Sequence, residues 1–441
     1  MQFVSDFHIH SKYSRAVSQK MNLEELDSWA DIKGILIMGT GDFTHPKWFS
    51  EIKQKLEPAE PGLFKLKKEY KFPNFKGKIP ETRFILSVEI SSIYSFLGKV
   101  RRIHNVIMLP DLNSAEKLNQ RLSFIGNLSS DGRPILGLSS KELTKITLDI
   151  CPNALMIPAH IWTPWFSLFG SMSGFDSLEE CFGEYSKNIL AVETGLSSDP
   201  QMNWRIPELD SLAIISNSDS HSLERIGREA NVFDAELSYN GIVNALKNSA
   251  PKNIKENNFS EVKPSKILYT IEFFPEEGKY HYDGHRLCGV SFSPQESKKY
   301  NNICPKCKKP LTIGVMNRVE QLAKRPADFF DPKRPGFKKL VTLDEIIADA
   351  LGVGKVSKAV FKIYKDLILN FENELNVLLN VPLQEIKLSS NELIAEGIKR
   401  VREGKLYIFP GYDGEYGKVY IFEENERKSF SNSAVKQKTL F

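Results

Sequence analysis

The chain has 441 residues, 41% of them hydrophobic and 26% charged, with a formal net charge of +4. This is the composition of a folded globular protein rather than a disordered or fibrous one, and the length allows about two to four domains. Apolar runs fall short of the roughly 18 residues of a membrane span, and the mild positive charge does not by itself require a polyanionic partner.

MQFVSDFHIH at the start has no basic stretch before an apolar core, so no secretory signal is expected. Five cysteines cannot all pair, and three lie between 288 and 307. That usage points to a reducing, cytoplasmic setting with a metal site rather than a disulfide framework.

Seven apolar segments are predicted strands: FVSDFHIH, GILIMGTGDFTH, RFILSVEI, IHNVIMLP, ALMIPAH, ILAVETG and LAIISNSDSH. Longer polar stretches between them suit helices, so the first half reads as an α/β parallel sheet or barrel. Side chains at the C-terminal strand ends of a βα barrel converge on one mouth. His8, His10, Asp42, His45, Glu89, His160, Glu193, Asp219 and His221 would meet there, whereas His104 opens its segment. His8 and His10, two apart on a strand, face the same way as chelating ligands must. Asp219 and His221 repeat that spacing. A mixed imidazole and carboxylate set suits zinc, manganese or iron, and so many ligands suit two or three ions.

Between Phe64 and Arg83, seven basic residues stand against two acidic ones, interleaved with Phe64, Tyr70, Phe72 and Phe75. Such a loop could follow a nucleic-acid strand, or could be a solvated insertion whose aromatics pack inward. Trp162, Trp165 and Phe166 are candidates for a base pocket, with ordinary packing as the alternative. A polar, lysine-rich stretch near 250–265 suggests a boundary. His285, Cys288, Cys304 and Cys307 then form HxxC and CPKC, the spacing of one closed structural zinc site. Cys151 and Cys181 are expected to be buried thiols, and His281 stands outside the ligand spacing.

Farther on, Thr342 with Glu345 predicts a capping box and Gly352 a helix end. One helix is predicted over 355–380 and another over 391–403. GVGK at 352–355 is either a phosphate-binding turn or a plain connection. Residues 410–422 suit a hairpin or a loop. At the end, Gln437, Leu440 and Phe441 have the spacing of a shortened PCNA sliding-clamp motif. If real, it favours a prokaryotic, archaeal source.

HxH, TGDFTHP, a glutamate after a strand, AH, ETGLSSDP and NSDSH followed by IGREAN, in this order, resemble the PHP (polymerase and histidinol phosphatase) domain and, within it, the endonuclease Q family. DGHRLCG and CPKCKKPLTIG are similar to that family's zinc segment. The resemblance implies a distorted (β/α)7 PHP barrel over 1–255, a zinc-binding segment over 256–335, a mainly helical DNA-binding domain over 336–430 and a tail over 431–441. It implies His8, His10, Glu89 and Asp219 on one metal, a bridging Glu89 with His104 and His160 on a second, and Asp42 or His45 with His221 on a third. The ions would be zinc, manganese or magnesium, with Asp219, His221, His45 and Glu193 at the chemistry. Many family members carry an acid or histidine a few positions after HxH; this chain has Ser14, Arg15 and Ala16, which shifts weight onto Asp42 and His45.

The implied activity is metal-dependent hydrolysis of the phosphodiester 5′ of uracil, hypoxanthine, xanthine or an abasic site in DNA. Two alternatives are a phosphatase of small phosphate esters and a non-catalytic DNA- or clamp-binding adaptor.

Overall fold

A computed structural model describes residues 1–253, 265–423 and 425–427. Each predicted strand is present: β1 (Gln2–Asp6), β2 (Ile37–Gly39), β3 (Arg83–Phe96), β4 (Lys99–Leu109), β5 (Leu155–Pro158), β6 (Ala191–Glu193) and β7 (Ala213–Ile215). β1 runs parallel to β2 and β2 to β3; β4 is antiparallel to both β3 and β5; β6 and β7 form a separate parallel pair. Single links join these groups: the Ile161 amide donates to Glu193 O at 3.1 Å, and Ile9 bridges Ser220. The seven strands therefore follow one another around a ring. Phe3, Ile37, Ile85, Val106, Ile157, Ala191 and Ile215, one from each strand, share a buried cluster. The larger of these each contribute roughly 1.5–3 kcal/mol by burial.

The ring is not all parallel. RFILSVEI and IHNVIMLP, read as strands separated by a helix, are two arms of one long hairpin. Its tip is Leu97–Gly98, both at positive φ (48° and 74°). Such two-residue tips match strand twist, but Leu-Gly is not the usual Asn-Gly signal, so the turn escapes a pattern reading.

Nor does the sheet end near residue 255, which itself lies outside the described residues. β8 (Ala230–Asp234) pairs with β1, β9 (Lys266–Glu272) with β8, and β10 (Gly336–Lys339) with β9. The segment after the first unit is thus bound to it by backbone pairing.

Helices follow at Leu343–Leu351, Lys358–Phe371, Glu374–Leu379, Leu383–Ser389 and Glu392–Glu403. The single helix predicted over 355–380 is two. Glu372 at φ 73° breaks it, and the Asn373 side chain caps the next helix by accepting the Asn376 amide. Thr342 precedes its helix but makes no capping bond; its hydroxyl accepts from Arg225 at 3.3 Å instead. Gly352 ends that helix at φ 66°, and Tyr407–Phe409 pairs with Lys418–Tyr420 as a hairpin. Cys151 and Cys181 are buried free thiols.

A buried ion pair ties the helical region to the first helix of the strand ring. Lys33 reaches the buried Glu374 at 2.5 Å, and the Tyr364 hydroxyl donates to the same carboxylate at 2.6 Å. The basic loop after Phe64 joins this seam. Lys71 and Lys76 pair with Asp27 and Asp31, Lys76 also donates to Glu372 O, and Lys365 lies over Phe75. Lys65, Lys67, Lys71 and Lys76 of this loop thus make intramolecular polar contacts, and Phe64, Tyr70 and Phe75 pack inward. Among the described residues, no helix is long and apolar enough to cross a membrane. Gln437, Leu440 and Phe441, with the whole 431–441 tail, lie outside the described residues.

Candidate metal centre

Strand alternation continues past β1, so His8 and His10 project to one side with ring centroids 5.4 Å apart. In the β3–β4 ladder Glu89 pairs with Val106 and Ser91 with His104, making Glu89 and His104 diagonal neighbours on one face. His160 lies just past β5, Glu193 closes β6, and Asp42 and Asp219 follow β2 and β7.

These residues form two groups that share Glu89. The ligand atoms of His8, His10, Glu89 and Asp219 all lie within 4.8 Å of one another, as do those of Glu89, His104 and His160. Glu89 Oε2 faces His8 Nε2 (3.5 Å) and His10 Nε2 (3.2 Å). Its Oε1 faces His104 Nδ1 (2.5 Å) and His160 Nε2 (3.1 Å). This is the disposition of a carboxylate that bridges two cations.

Each imidazole uses its other nitrogen on a partner outside the cluster. His8 Nδ1 meets Glu193 at 3.0 Å, His10 Nδ1 meets Asp42 at 3.2 Å, His104 Nε2 meets Ser91 Oγ at 3.1 Å, and His160 Nδ1 meets Ser167 Oγ at 3.2 Å. A proton held on that side leaves the inward nitrogen as a bare lone pair, the form that binds metal. His8 Nε2 shows the consequence: it is buried and has no hydrogen-bond partner. The residues therefore fit divalent cations, and the N/O donor set suits zinc, manganese or iron.

Electrostatics agree. Burial alone would lower the pKa of His8 and His10. The carboxylates of Glu193, Glu89 and Asp219 around His8, and of Asp219, Asp42 and Glu89 around His10, outweigh it and hold both well above the ordinary value. Burial would raise Glu89, but His104, Arg133 and His8 keep it well below the carboxylate range. A field this negative favours any cation at its centre. At His104 burial wins, lowering its pKa to about 4.

The site also stores strain. Asp42, His160, Phe166 and Asp219 all have positive φ, 50°, 31°, 64° and 45°. Each such residue costs of order 1–3 kcal/mol, and such outliers cluster at functional sites. Gly195 of ETG, at φ 61°, lets the backbone approach His160, whose Cβ would lie 2.3 Å from an added methyl.

Asp42, His45 and His221 belong to neither group. Asp42 accepts from Ser11 N (2.6 Å), Ser11 Oγ (2.7 Å) and Ser14 Oγ (2.9 Å) as well as facing His10, so four neighbours occupy its oxygens. Ser14, in the stretch where the resemblance leads to an acid or histidine, instead donates to Asp42. His45 stacks on Tyr13, centroids 4.5 Å apart, and its buried Nδ1 has no partner. His221 donates from Nδ1 to Asp219 O at 2.9 Å, with its ring 4.7 Å from that of His10. Glu193 touches His8, the His160 amide (2.9 Å) and Asn217 (2.8 Å), so it braces His8 and His160 from outside both groups.

Arg133 was missed by the sequence reading. Its guanidinium sits 3.0 Å from Glu89 Oε2 and is 30% exposed. Gly132 permits this: a Cβ there would stand 2.2 Å from Asp42 Oδ2. No strand or histidine marks that loop, so only its place in the fold reveals it. Trp162 is fully buried and donates to Asn203 at 2.7 Å, which is packing; Trp165 meets Tyr280 edge-on.

His285, Cys288, Cys304 and Cys307 form a third group of ligand atoms within 4.8 Å. His285 ends a strand (Asp283–His285) paired with Val290–Phe292, Cys288 lies in the turn between them, and Lys308 N–H closes the CPKC knuckle onto Cys304 O at 2.9 Å. His281 is buried and outside this set.

Comparison with known proteins gives a consistent picture. The MJ0043 C-terminal domain family matches residues 342–405. The chain is 38% identical over 265 residues to protein MJ0043 of Methanocaldococcus jannaschii, covering 58% of this chain but only 31% of that protein. It is 30% identical over 325 residues to YqxK of Bacillus subtilis, covering 72% of this chain and 73% of that protein. The crystal structure of the lesion-specific endonuclease PfuEndoQ from Pyrococcus furiosus superposes with a TM-score of 0.80 at 30% identity, over 96% of each chain. An endonuclease Q bound to a 27-mer duplex with an abasic lesion at its active site gives 0.79 at 31% identity, over 96% of this chain and 98% of that one. With these similarities spanning the barrel, the cysteine cluster and the helical region, the chain belongs to the endonuclease Q family.

Proposed function

We propose that this protein is a metal-dependent DNA endonuclease that hydrolyses the phosphodiester 5′ of a deaminated or abasic nucleotide: uracil, hypoxanthine, xanthine or a baseless sugar. One observation carries the reading: the pair of ligand groups bridged by Glu89, on a chain similar throughout to lesion endonucleases. His8, His10, Glu89 and Asp219 would hold one ion, and Glu89, His104 and His160 a second. Ions so held supply an activated water and neutralise charge on the phosphate.

The remaining work falls to the chain. Glu193 and Asp42 fix the tautomers of His8 and His10. His221 has a pKa lowered by burial, which keeps it neutral near pH 7. Its Nδ1 proton is committed to Asp219 O, so Nε2 is the atom able to accept a proton and pass it on. Arg133, positive and partly exposed, can meet a non-bridging phosphate oxygen. His45 is buried against the Tyr13 ring. A third ion between Asp42 or His45 and His221 has less support, because Asp42 is occupied by Ser11, Ser14 and His10.

The 1–255 unit would be catalytic. The cysteine segment would hold one structural zinc, whose four protein ligands leave no open position. The helical 336–430 region would bind DNA. Lesion access would come by extruding the damaged nucleotide, which costs less at a mismatched or missing base. Binding of the PCNA clamp through Gln437, Leu440 and Phe441, a cytoplasmic location and an archaeal source rest on sequence alone.

The test is a nicking assay on labelled duplexes with one deoxyuridine, deoxyinosine or abasic site, with manganese or magnesium, beside Asp219→Ala. One cut 5′ of the lesion, lost in the variant, is the expected result. Cleavage of p-nitrophenyl phosphate with no lesion-dependent nick would replace the reading by a small-ester phosphatase; neither activity would leave an adaptor.

A further inference from the structure

IGREAN, which follows NSDSH, supplies no residue to either ligand group. Its Arg228 nevertheless bears on Asp219. The Arg228 Nε–H donates to the Ser218 carbonyl at 3.0 Å. That oxygen lies in the peptide plane leading into Asp219. Rotation of this plane about the Asp219 N–Cα bond is the φ torsion, 45° here. Pinning the oxygen therefore pins the torsion. On the far side, His221 Nδ1 donates to the Asp219 carbonyl at 2.9 Å and restrains ψ in the same way. Asp6, at the end of β1, accepts the Ser218 amide at 3.1 Å and the Gly227 amide at 3.0 Å. The segment carrying Arg228 is thus tied to the segment it grips.

We infer that Arg228 is a positioning residue: through the Ser218 carbonyl it holds Asp219 in the strained conformation that lets its carboxylate share a cation with His8, His10 and Glu89. This rests on the two-ion reading above. Aspartate tolerates positive φ better than most residues but does not prefer it. A released peptide would turn toward negative φ and carry Asp219 Oδ1 away from His10 Nε2, 3.0 Å distant, and His8 Nε2, 3.6 Å distant. Charge does not explain an arginine at this place. Burial lowers its pKa against the pull of Asp219, Glu229 and Asp6, and a guanidinium beside the group repels an incoming cation. The Phe273 ring, 6.0 Å away, is at the outer limit of a cation–π contact. What the guanidinium supplies is the bond to Ser218 O.

Three substitutions separate bond from charge. In R228Q the amide nitrogen stands as many bonds from the backbone as arginine Nε, so the donor stays and the charge goes. R228M fills similar space without a donor, and R228K keeps the charge but moves the donor one bond outward. Each metal-stripped protein is titrated calorimetrically with manganese, and the manganese dependence of nicking a deoxyuridine duplex is recorded beside it. R228M is expected to weaken one manganese site per chain roughly 10- to 100-fold, the worth of an outer partner of a ligand, although it sheds a repelling charge. R228Q should bind like the wild type. Half-maximal nicking by R228M should need more manganese by the same factor, with the rate recovered at saturation, which a damaged fold would not allow. Tighter binding by both R228Q and R228M would mean that only charge matters and overturns the positioning role. Equal weakening in both overturns it as well. So does unchanged binding in R228M, which would leave Arg228 as packing at the seam it lines with Lys33, Thr342 and Glu374. If R228M does not fold, R228K should bind more weakly than R228Q; the reverse order, or no difference, overturns the inference. Manganese affinities in the expected order on a protein that nicks no lesion would sustain Arg228 and sink the endonuclease reading alone.

Discussion

Asp42→Asn separates a metal ligand from a residue that aims one. Asparagine keeps the size of the side chain and tolerates the φ of 50° at this position, which alanine would strain. It replaces one of two oxygens by an amide that can only donate. Ser11 N, Ser11 Oγ and Ser14 Oγ, at 2.6, 2.7 and 2.9 Å, and His10 Nδ1, at 3.2 Å, converge on the native carboxylate. The variant cannot accept from them all, so the Nδ1–H tautomer of His10 loses its anchor. Removing such an outer partner typically costs 10- to 100-fold in metal affinity or activity, about 1.4–2.7 kcal/mol. The expected result is therefore weaker metal binding by that factor, at unchanged stoichiometry. Titrating the metal-stripped protein with manganese, calorimetrically, against elemental analysis at saturation, reads both quantities. Loss of one whole ion per chain would refute the argument and make Asp42 a direct ligand. Unchanged affinity would refute it from the other side.

Other parts of the molecule yield sharper stability expectations. Glu374→Ala strands the buried Lys33 ammonium and frees the Tyr364 hydroxyl, and should cost about 3–5 kcal/mol in chemical denaturation; a loss under about 1 kcal/mol would show the pair to be incidental. Burial pushes Glu272 up to about 8 from its ordinary 4.5, so the folded chain keeps a proton that the unfolded chain releases. Stability should fall as pH rises between those values, and Glu272→Gln should flatten the fall and raise Tm at pH 8; parallel Tm–pH profiles would contradict this. Cys304→Ser should release one zinc per chain and expose the 283–312 segment to protease, while the barrel keeps its ions. Retention of that zinc would rule out the four-ligand site.

Much of this architecture is legible in the sequence because both fold and site depend on short-range periodicity. Apolar runs ending in His, Asp or Glu mark the strands, and strand alternation puts His8 and His10 on one side without knowledge of the partners. HxxC and CPKC declare themselves by spacing. What escapes is set by pairing. The β3–β4 hairpin turns at Leu97–Gly98, a tip without a turn signature, and that turn brings His104 to Glu89 although His104 opens its segment. Residues 355–380 read as one helix because their apolar period runs on. The break comes from Glu372 and the Asn373 cap, a competition between local bonds and helix continuity. The basic loop after Phe64 looked equally suited to DNA or to packing. Lys71 and Lys76 turn to Asp27 and Asp31 because the helix carrying those acids lies beneath them, which composition does not encode.

The least legible distinction is between residues that bind a cation and residues that hold the binders. Asp42, Glu89, Glu193 and Asp219 are all carboxylates following apolar strands, and sequence offers no reason to rank them. Geometry ranks them by what else can reach each oxygen. Glu89 is addressed mainly by imidazole nitrogens and Arg133, and Asp219 Oδ1 by His8 and His10; these remain free to take a cation. Asp42 is addressed by one amide and two hydroxyls, Glu193 by two amide groups, and each also secures one imidazole. A carboxylate saturated by neutral donors is already compensated and gains little from a cation. One whose neighbours are mainly imidazoles depends on positive charge, either protons on those rings or a cation in their place, at a buried site where an uncompensated carboxylate costs most. On the proposed ligand set, the division of labour would follow from the hydroxyls of Ser11 and Ser14 and the amide of Asn217, residues with no metal chemistry of their own.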